Sequence, residues 1–144
     1  MAAVALTADL DAAVSEADAV SLHLPLTSAS CRTFDAARLA RMKPSAVLIS
    51  TARGGLIDEA ALVEALSRGR LAAAGLDVFD EEPPPKDHPL FALENVVLSP
   101  HSASLTLECA ARMSAVSAQN CLDGLDGRLD PALVVNRDTL GVHP

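Results

Sequence analysis

Ala46-Val47-Leu48-Ile49-Ser50-Thr51-Ala52-Arg53-Gly54-Gly55-Leu56-Ile57-Asp58 is the stretch that decides the fold. An apolar run comes first, then a short polar segment, one cation and a glycine pair. Asp58 then opens Glu59-Ala60-Ala61-Leu62-Val63-Glu64-Ala65-Leu66, a segment of helical composition. The spacing predicts strand, tight turn and helix, with Asp58 as N-cap and Gly69 just past the helix end. Open parallel sheets bind ligands outside the carboxyl ends of their strands, and Arg53 falls at such an end. A guanidinium fixed there can grip a carboxylate through two parallel hydrogen bonds. Taken alone, Arg53 reads more readily as a surface arginine near a helix start. The rest of the chain changes that.

Outward from this stretch, apolar runs alternate with helical patterns. Ala19 to Leu24 reads as a strand ended by Pro25. Phe34, Ala37, Leu39 and Met42 form a rough helical stripe over Phe34 to Met42, stopped near Pro44. Ala46 to Thr51 is the second strand and Asp58 to Ser67 the second helix. Leu71 to Phe79 is the third strand, where Ala72-Ala73-Ala74-Gly75 lets a helix pack closely. Glu81-Glu82-Pro83-Pro84-Pro85 makes a rigid loop, and Asn95 to Leu98 a short fourth strand. A long helix follows over Leu105 to Leu125, with Leu107, Ala110, Ala111, Ser114, Ala118, Cys121, Leu122 and Leu125 at helical spacing. Asp126 to Pro144 has no period and reads as a tail. Alternating strands and helices argue for a parallel sheet of βαβ units. The strand runs lack strict period-two alternation, as expected for strands covered on both faces.

Composition narrows the class. The 144 residues suffice for one domain with a core. Half are apolar, yet the only aromatic residues are three Phe, so the core must be Ala, Leu, Val and Ile. The net charge of −8 repels phosphate backbones, so nucleic acid and anionic membranes are not expected partners. No apolar run approaches the ~20 residues that cross a bilayer. No basic segment followed by a long apolar one stands at the N-terminus, so the expected location is the cytoplasm. Cys31, Cys109 and Cys121 show neither zinc spacing nor a disulfide framework. They are expected to be buried free thiols, and no metal site is expected.

The strand ends carry the chemistry. His23-Leu24-Pro25 follows the first strand and Arg53 the second. Asp77 and Glu82 lie in and after the third, and Pro100-His101 after the fourth. In a parallel sheet these ends share one side, so an arginine, two carboxylates and two histidines converge on one rim. A histidine beside a carboxylate is favoured as imidazolium and can pass a proton to and from an oxygen. An arginine nearby can orient a small acid and polarise its carbonyl. Reduction of a 2-keto acid needs these parts together with a hydride donor, which side chains do not supply. Each residue also has a plainer reading. His101 could be a loop or N-cap histidine, Glu82 a solvated loop residue, and His23 a satisfied core histidine. His88 and His143 look like ordinary loop residues, and Thr106 and Glu108 like helix-start polars. Asp77, inside an apolar strand, needs partners if buried.

The blocks Ala17 to Thr27, Met42-Lys43-Pro44, Ser50 to Asp58, Gly75 to Pro83, His88-Pro89-Leu90 and Asn95 to His101 occur in an order that resembles the D-2-hydroxyacid dehydrogenase family. The match is to its NAD-binding domain and covers about residues 6 to 137. The resemblance implies an α/β fold with a partial Rossmann-like parallel sheet of about four strands, flanking helices and a long C-terminal helix. It implies that Arg53 holds the substrate carboxylate, His101 donates and accepts the proton, and Glu82 pairs with His101. It implies that Asp77 meets the nicotinamide carboxamide. Leu24, Pro25, Thr51, Ala52, Arg53, His101 and the Ser102-Ala103-Ser104 segment would line the cofactor. Ser104 stands where the family has glycine or alanine. Glu82 argues against the formate dehydrogenase branch, which has glutamine there.

The resemblance further implies NAD or NADP as cofactor and a small 2-keto or 2-hydroxy acid as substrate. No G-x-G-x-x-G occurs in this sequence. In the family that loop cradles the pyrophosphate at a helix N-terminus. Residues 1–104 are accordingly expected to be the C-terminal part of a dinucleotide-binding domain. Residues 105–144 are expected to be a helix and tail returning toward a substrate domain. The isolated chain is expected to be truncated, to bind dinucleotide weakly and to be inactive alone. A homodimer, or association with a separate missing half, is the expected assembly. The alternative is a non-catalytic dinucleotide-sensing or protein-interaction module using its exposed sheet edge.

Overall fold

A computed structural model describes residues 4–136 and Thr139. The chain divides into two compact units, Met1–Ala103 and Ser104–Pro144. The first holds a sheet of four strands, β1 (Ala19–Leu22), β2 (Val47–Ser50), β3 (Ala73–Leu76) and β4 (Val96–Leu98). All neighbours pair in parallel, in the order β1-β2-β3-β4. The strands are shorter than the apolar runs that suggested them. Residues such as Asp77 to Phe79 therefore fall in the connections past the strand ends.

Helices link the strands. Before β1 comes α1 (Leu10–Glu16), capped by Asp9, whose carboxylate accepts the Ala12 N–H at 3.0 Å. This helix is not among those the sequence pattern predicts. Between β1 and β2 lies α2, only Ala36–Leu39 rather than Phe34 to Met42. Phe34 instead bridges to Ile57 in parallel, and Asp35 becomes the N-cap, so the first residues of the stripe are extended. Between β2 and β3 lies α3 (Glu59–Ser67), whose N-cap Asp58 accepts the Ala61 N–H at 3.1 Å. Gly69 past its end has φ +64°, the left-handed conformation glycine adopts freely.

The sheet adds strands in one direction. Right-handed crossovers then put α2 and α3 on the same face, and the two helices touch. That corrects the expectation of strands covered on both faces. Leu48, Ser50, Ala74 and Leu76 are buried, whereas Val47, Ile49, Ala73 and Gly75 are half-buried. The core is Leu, Ile, Val and Ala with Phe34, Phe79 and Met42.

The second unit contains α4 (Leu107–Leu125), capped by Thr106, and a 3-10 turn at Pro131–Leu133. No residue of α4 is buried, although its apolar positions keep helical spacing. The cysteines also depart from expectation: Cys31 and Cys121 are exposed and Cys109 half-buried. Cys31 lies in a loop of turns and Cys121 on an uncovered helix, so neither reaches the core. Among the described residues no helix is long and apolar enough to cross a membrane.

Candidate active site

Because every strand pair is parallel, the four carboxyl ends share one edge. His23 to Leu26 follow β1, Thr51 to Arg53 follow β2, Asp77 to Glu82 follow β3, and Ser99 to Ala103 follow β4. The edge brings together the groups that the sequence placed on one rim.

The closest pair is Glu82 and His101. Glu82 Oε2 lies 2.8 Å from His101 Nδ1, and Oε1 accepts the Phe79 N–H at 3.0 Å. Both carboxylate oxygens are thus held. The His101 bond, then the Phe79 N–H, hold the Glu82 carboxyl below its usual range against the opposing effect of burial. The charges of His101 and Arg53 act in the same direction. With Nδ1 facing Glu82, the Nε2 side of His101 is left for a substrate. The pair stands at the wall of a 380 Å³ cavity whose other lining includes Phe79, Pro83, Phe91 and Leu98.

His101 has φ +52°, a conformation that side-chain-bearing residues adopt only under constraint. Asp77 supplies the constraint. Its carboxylate is buried, at 3% exposure, directly below the turn. Oδ1 accepts the Ser99 hydroxyl and, at 2.8 Å, the Ser102 N–H; Oδ2 accepts the Ala103 N–H at 2.8 Å. Three backbone or hydroxyl donors from both sides of His101 therefore converge on one side chain. Burial pushes the Asp77 carboxyl up, but the Ser99 hydroxyl, the Ala103 and Ser102 N–H groups and the His101 charge outweigh it and hold it below the usual value. The need for partners was legible in the sequence; the anchoring of the histidine turn was not, because two of the three donors are backbone amides and Ser99 lies 22 residues away.

Arg53 is exposed. Its Nη1 donates to the Ala52 carbonyl at 2.7 Å, and no carboxylate lies within ion-pair distance of it among the described residues. It lines a 650 Å³ groove with His23, Leu24, Pro25, Leu26, Thr51 and Ala52. His23 is exposed there, its Nε2 2.8 Å from Ser21 Oγ, and is not a core histidine. Ser104 opens the second unit, where its carbonyl accepts the Thr106 N–H at 3.0 Å.

His88 is not an ordinary loop residue. Its Nε2 lies 3.1 Å from Glu59 Oε2, and its ring packs edge-on against Phe79 and Phe91. His143 lies outside the described residues. No group of three or more His, Cys, Asp or Glu side chains that could hold a metal ion occurs among the described residues.

Comparison with known proteins agrees with this fold. Residues 2–103 match the family described as D-isomer specific 2-hydroxyacid dehydrogenase, NAD binding domain. A glyoxylate reductase of Thermofilum pendens is 47% identical over 136 residues, covering 94% of this chain and 40% of the relative. A crystal structure of a Thermus thermophilus protein superimposes with a TM-score of 0.81 at 50% identity, over 85% of this chain and 39% of that one. A D-lactate dehydrogenase from Lactobacillus jensenii, solved with NAD+, gives a TM-score of 0.81 at 37% identity, over 90% of this chain and 43% of that one. The chain thus spans about two fifths of the length of the curated relatives it matches. With the parallel sheet, the single rim and the matched domain in agreement, the chain belongs to the D-isomer specific 2-hydroxyacid dehydrogenase family, in its NAD-binding domain.

Proposed function

We propose that this chain carries the reacting side chains of an NAD- or NADP-dependent oxidoreductase that interconverts small 2-keto and 2-hydroxy acids. The observation that carries the reading is the Glu82–His101 pair on the same strand edge as an Arg53 free of any carboxylate partner among the described residues. In this reading Arg53 takes the substrate carboxylate in a two-pronged, charge-assisted contact. His101 holds the proton at Nε2 and delivers it to the carbonyl oxygen as charge develops there. Glu82 fixes the ring through Nδ1 and balances its charge. In the reverse direction the same imidazole takes the proton back.

The rim suits the nicotinamide end of a dinucleotide. Leu24, Pro25, Thr51 and Ala52 offer a mostly apolar wall along the groove. Asp77 has three donors on about four carboxylate lone pairs, so Oδ2 keeps capacity for one more, such as a carboxamide N–H. When bound, the cofactor supplies the hydride; orientation and proton transfer fall to the residues named above.

The test is a graft. Residues 4–103 replace the matching segment of the Thermofilum pendens glyoxylate reductase, and NADH oxidation is followed with glyoxylate and hydroxypyruvate. Turnover that disappears on Arg53→Ala or His101→Ala supports the reading. A folded graft that binds NADH yet reduces neither acid overturns it.

A further inference from the structure

We propose that Glu59 and His88 form a clamp that positions Glu82 against His101. The proposal deepens the reading above and rests on Glu82 being the partner of the proton-transferring histidine. Neither clamp residue belongs to the rim. Glu59 is in the first turn of α3, and His88 caps the 3-10 turn Pro89–Ala92. Yet one carboxylate closes both ends of the loop that carries Glu82. Glu59 Oε1 accepts the Asp80 N–H at 2.7 Å, and Oε2 meets His88 Nε2 at 3.1 Å. Glu82 lies between these two tethers.

The histidine is oriented from its other side as well. His88 Nδ1 accepts the Leu90 N–H at 3.3 Å, so the ring proton sits on Nε2 and is donated to Glu59. Both side chains are largely shielded, at 13% and 15% exposure, so their bond is not a solvated surface contact. The ring also contacts Phe79 edge-on, with centroids 5.9 Å apart, and Phe91 at 5.8 Å. Phe79 in turn gives its N–H to Glu82 Oε1. Holding Asp80 on one side and the Phe79 ring on the other fixes the peptide that orients Glu82. Oε2 is then left to face His101. The charged groups that bear on Glu82 are His101 and Arg53; the titratable group that faces Glu59 is the neutral His88 ring.

The experiment uses the chain itself, with ¹³C-labelled glutamate carboxyls, as wild type, Glu59→Ala, His88→Ala and His88→Gln. Glu64→Ala, which removes an exposed partner of Arg70 on the same helix, is the control. Both alanine variants are expected to raise the midpoint at which the Glu82 carboxyl titrates. They are also expected to speed exchange of the Phe79 and Asp80 amides by about tenfold or more, as loss of hydrogen bonds to a charged group implies. His88→Gln, which keeps a donor toward Glu59, is expected to restore much of both, and Glu64→Ala to change neither. Unchanged Glu82 titration in folded alanine variants overturns the proposal. Should these variants unfold, Glu59→Gln keeps the side-chain volume, and a folded Glu59→Gln with wild-type Glu82 titration overturns it equally. A titration shift with no turnover in the graft counts against the dehydrogenase reading and leaves the clamp standing.

Discussion

Gly54 and Phe79 meet backbone to backbone. A β-carbon placed on Gly54 would fall 1.9 Å from the Phe79 carbonyl oxygen and 2.4 Å from the Asp80 nitrogen. Glycine is therefore required there by space, not by its φ. The contact joins two parts of the site. Gly54 follows Arg53 at the end of β2, and Phe79 holds Glu82 beyond the end of β3. The spacing of the arginine from the Glu82–His101 pair is set by this approach of two peptides.

Gly54→Ala is expected to destabilise the chain by about 3 kcal/mol or more, because the clash is with backbone that cannot rotate away. Gly69→Ala is the comparison. Its φ of +64° is unfavourable for alanine, but nothing lies within 4 Å, so a loss of only about 1 kcal/mol is expected. Thermal denaturation followed by circular dichroism separates the two. Equal losses would mean that the Gly54 contact is looser than described.

Asp77→Asn keeps the shape but turns an amide toward donors that expect an acceptor. The remaining carbonyl oxygen can still accept from Ser99 and Ser102, so a loss of about 3 kcal/mol is expected, mostly from the Ala103 N–H left facing the amide nitrogen and from the lost charge. The effect must depend on pH. The folded carboxyl lies below the usual 3.8, so its contribution is complete above that value and fades as pH falls through the folded value. The difference in melting temperature between wild type and Asp77→Asn is therefore expected to be constant near neutrality and to shrink below pH 3.8. A gap that persists unchanged into acid would show that Asp77 acts through packing and not through charge.

The parts of this molecule that were legible in sequence are those with local signatures. The helix cap at Asp58, the glycine at 69 and the four strand runs each depend on neighbours within a few residues. Convergence of Arg53, Glu82 and His101 followed from parallel topology alone, since strand ends in a parallel sheet share an edge. What was not legible depends on contacts between distant positions. Glu59 and His88 are 29 residues apart, and each on its own looks like a solvated helix or loop residue. Asp77 reaches donors 25 and 26 residues away that are backbone amides, invisible to a reading of side chains. Helix α2 is shorter than its apolar stripe because Phe34 pairs with Ile57 across the turn, and tertiary pairing overrides a helical stripe.

Arg53→Gln in the graft is expected to lower kcat/KM for glyoxylate about 10- to 100-fold, the range for losing charged hydrogen bonds to a carboxylate. Arg53→Lys is expected to recover only part of this, since an ammonium cannot make the two-pronged contact. Steady-state kinetics with saturating NADH decides it. Full activity in Arg53→Lys would make the residue a general positive charge and not an orienting fork.

His101→Ala in the graft is expected to cost about 10²- to 10⁴-fold in kcat, the range for removing a general acid–base group. NADH affinity, measured by fluorescence, should change far less, because the groove wall of Leu24, Pro25, Thr51 and Ala52 is untouched. Glu82 offers a second readout in the chain itself. The His101 bond is the largest influence lowering the Glu82 carboxyl, ahead of the Phe79 N–H. Removing the imidazole therefore moves the Glu82 titration midpoint up toward the usual 4.5, while leaving the Phe79 contact in place. In wild type the pairing survives as pH falls past 4.5 and is lost only as Glu82 protonates at its lower folded value. Glu82→Gln removes that titration and, in the graft, is expected to flatten the acidic limb of the rate profile while lowering its plateau. An acidic limb that stays in place in Glu82→Gln would assign it to another group and separate Glu82 from the proton-transfer step.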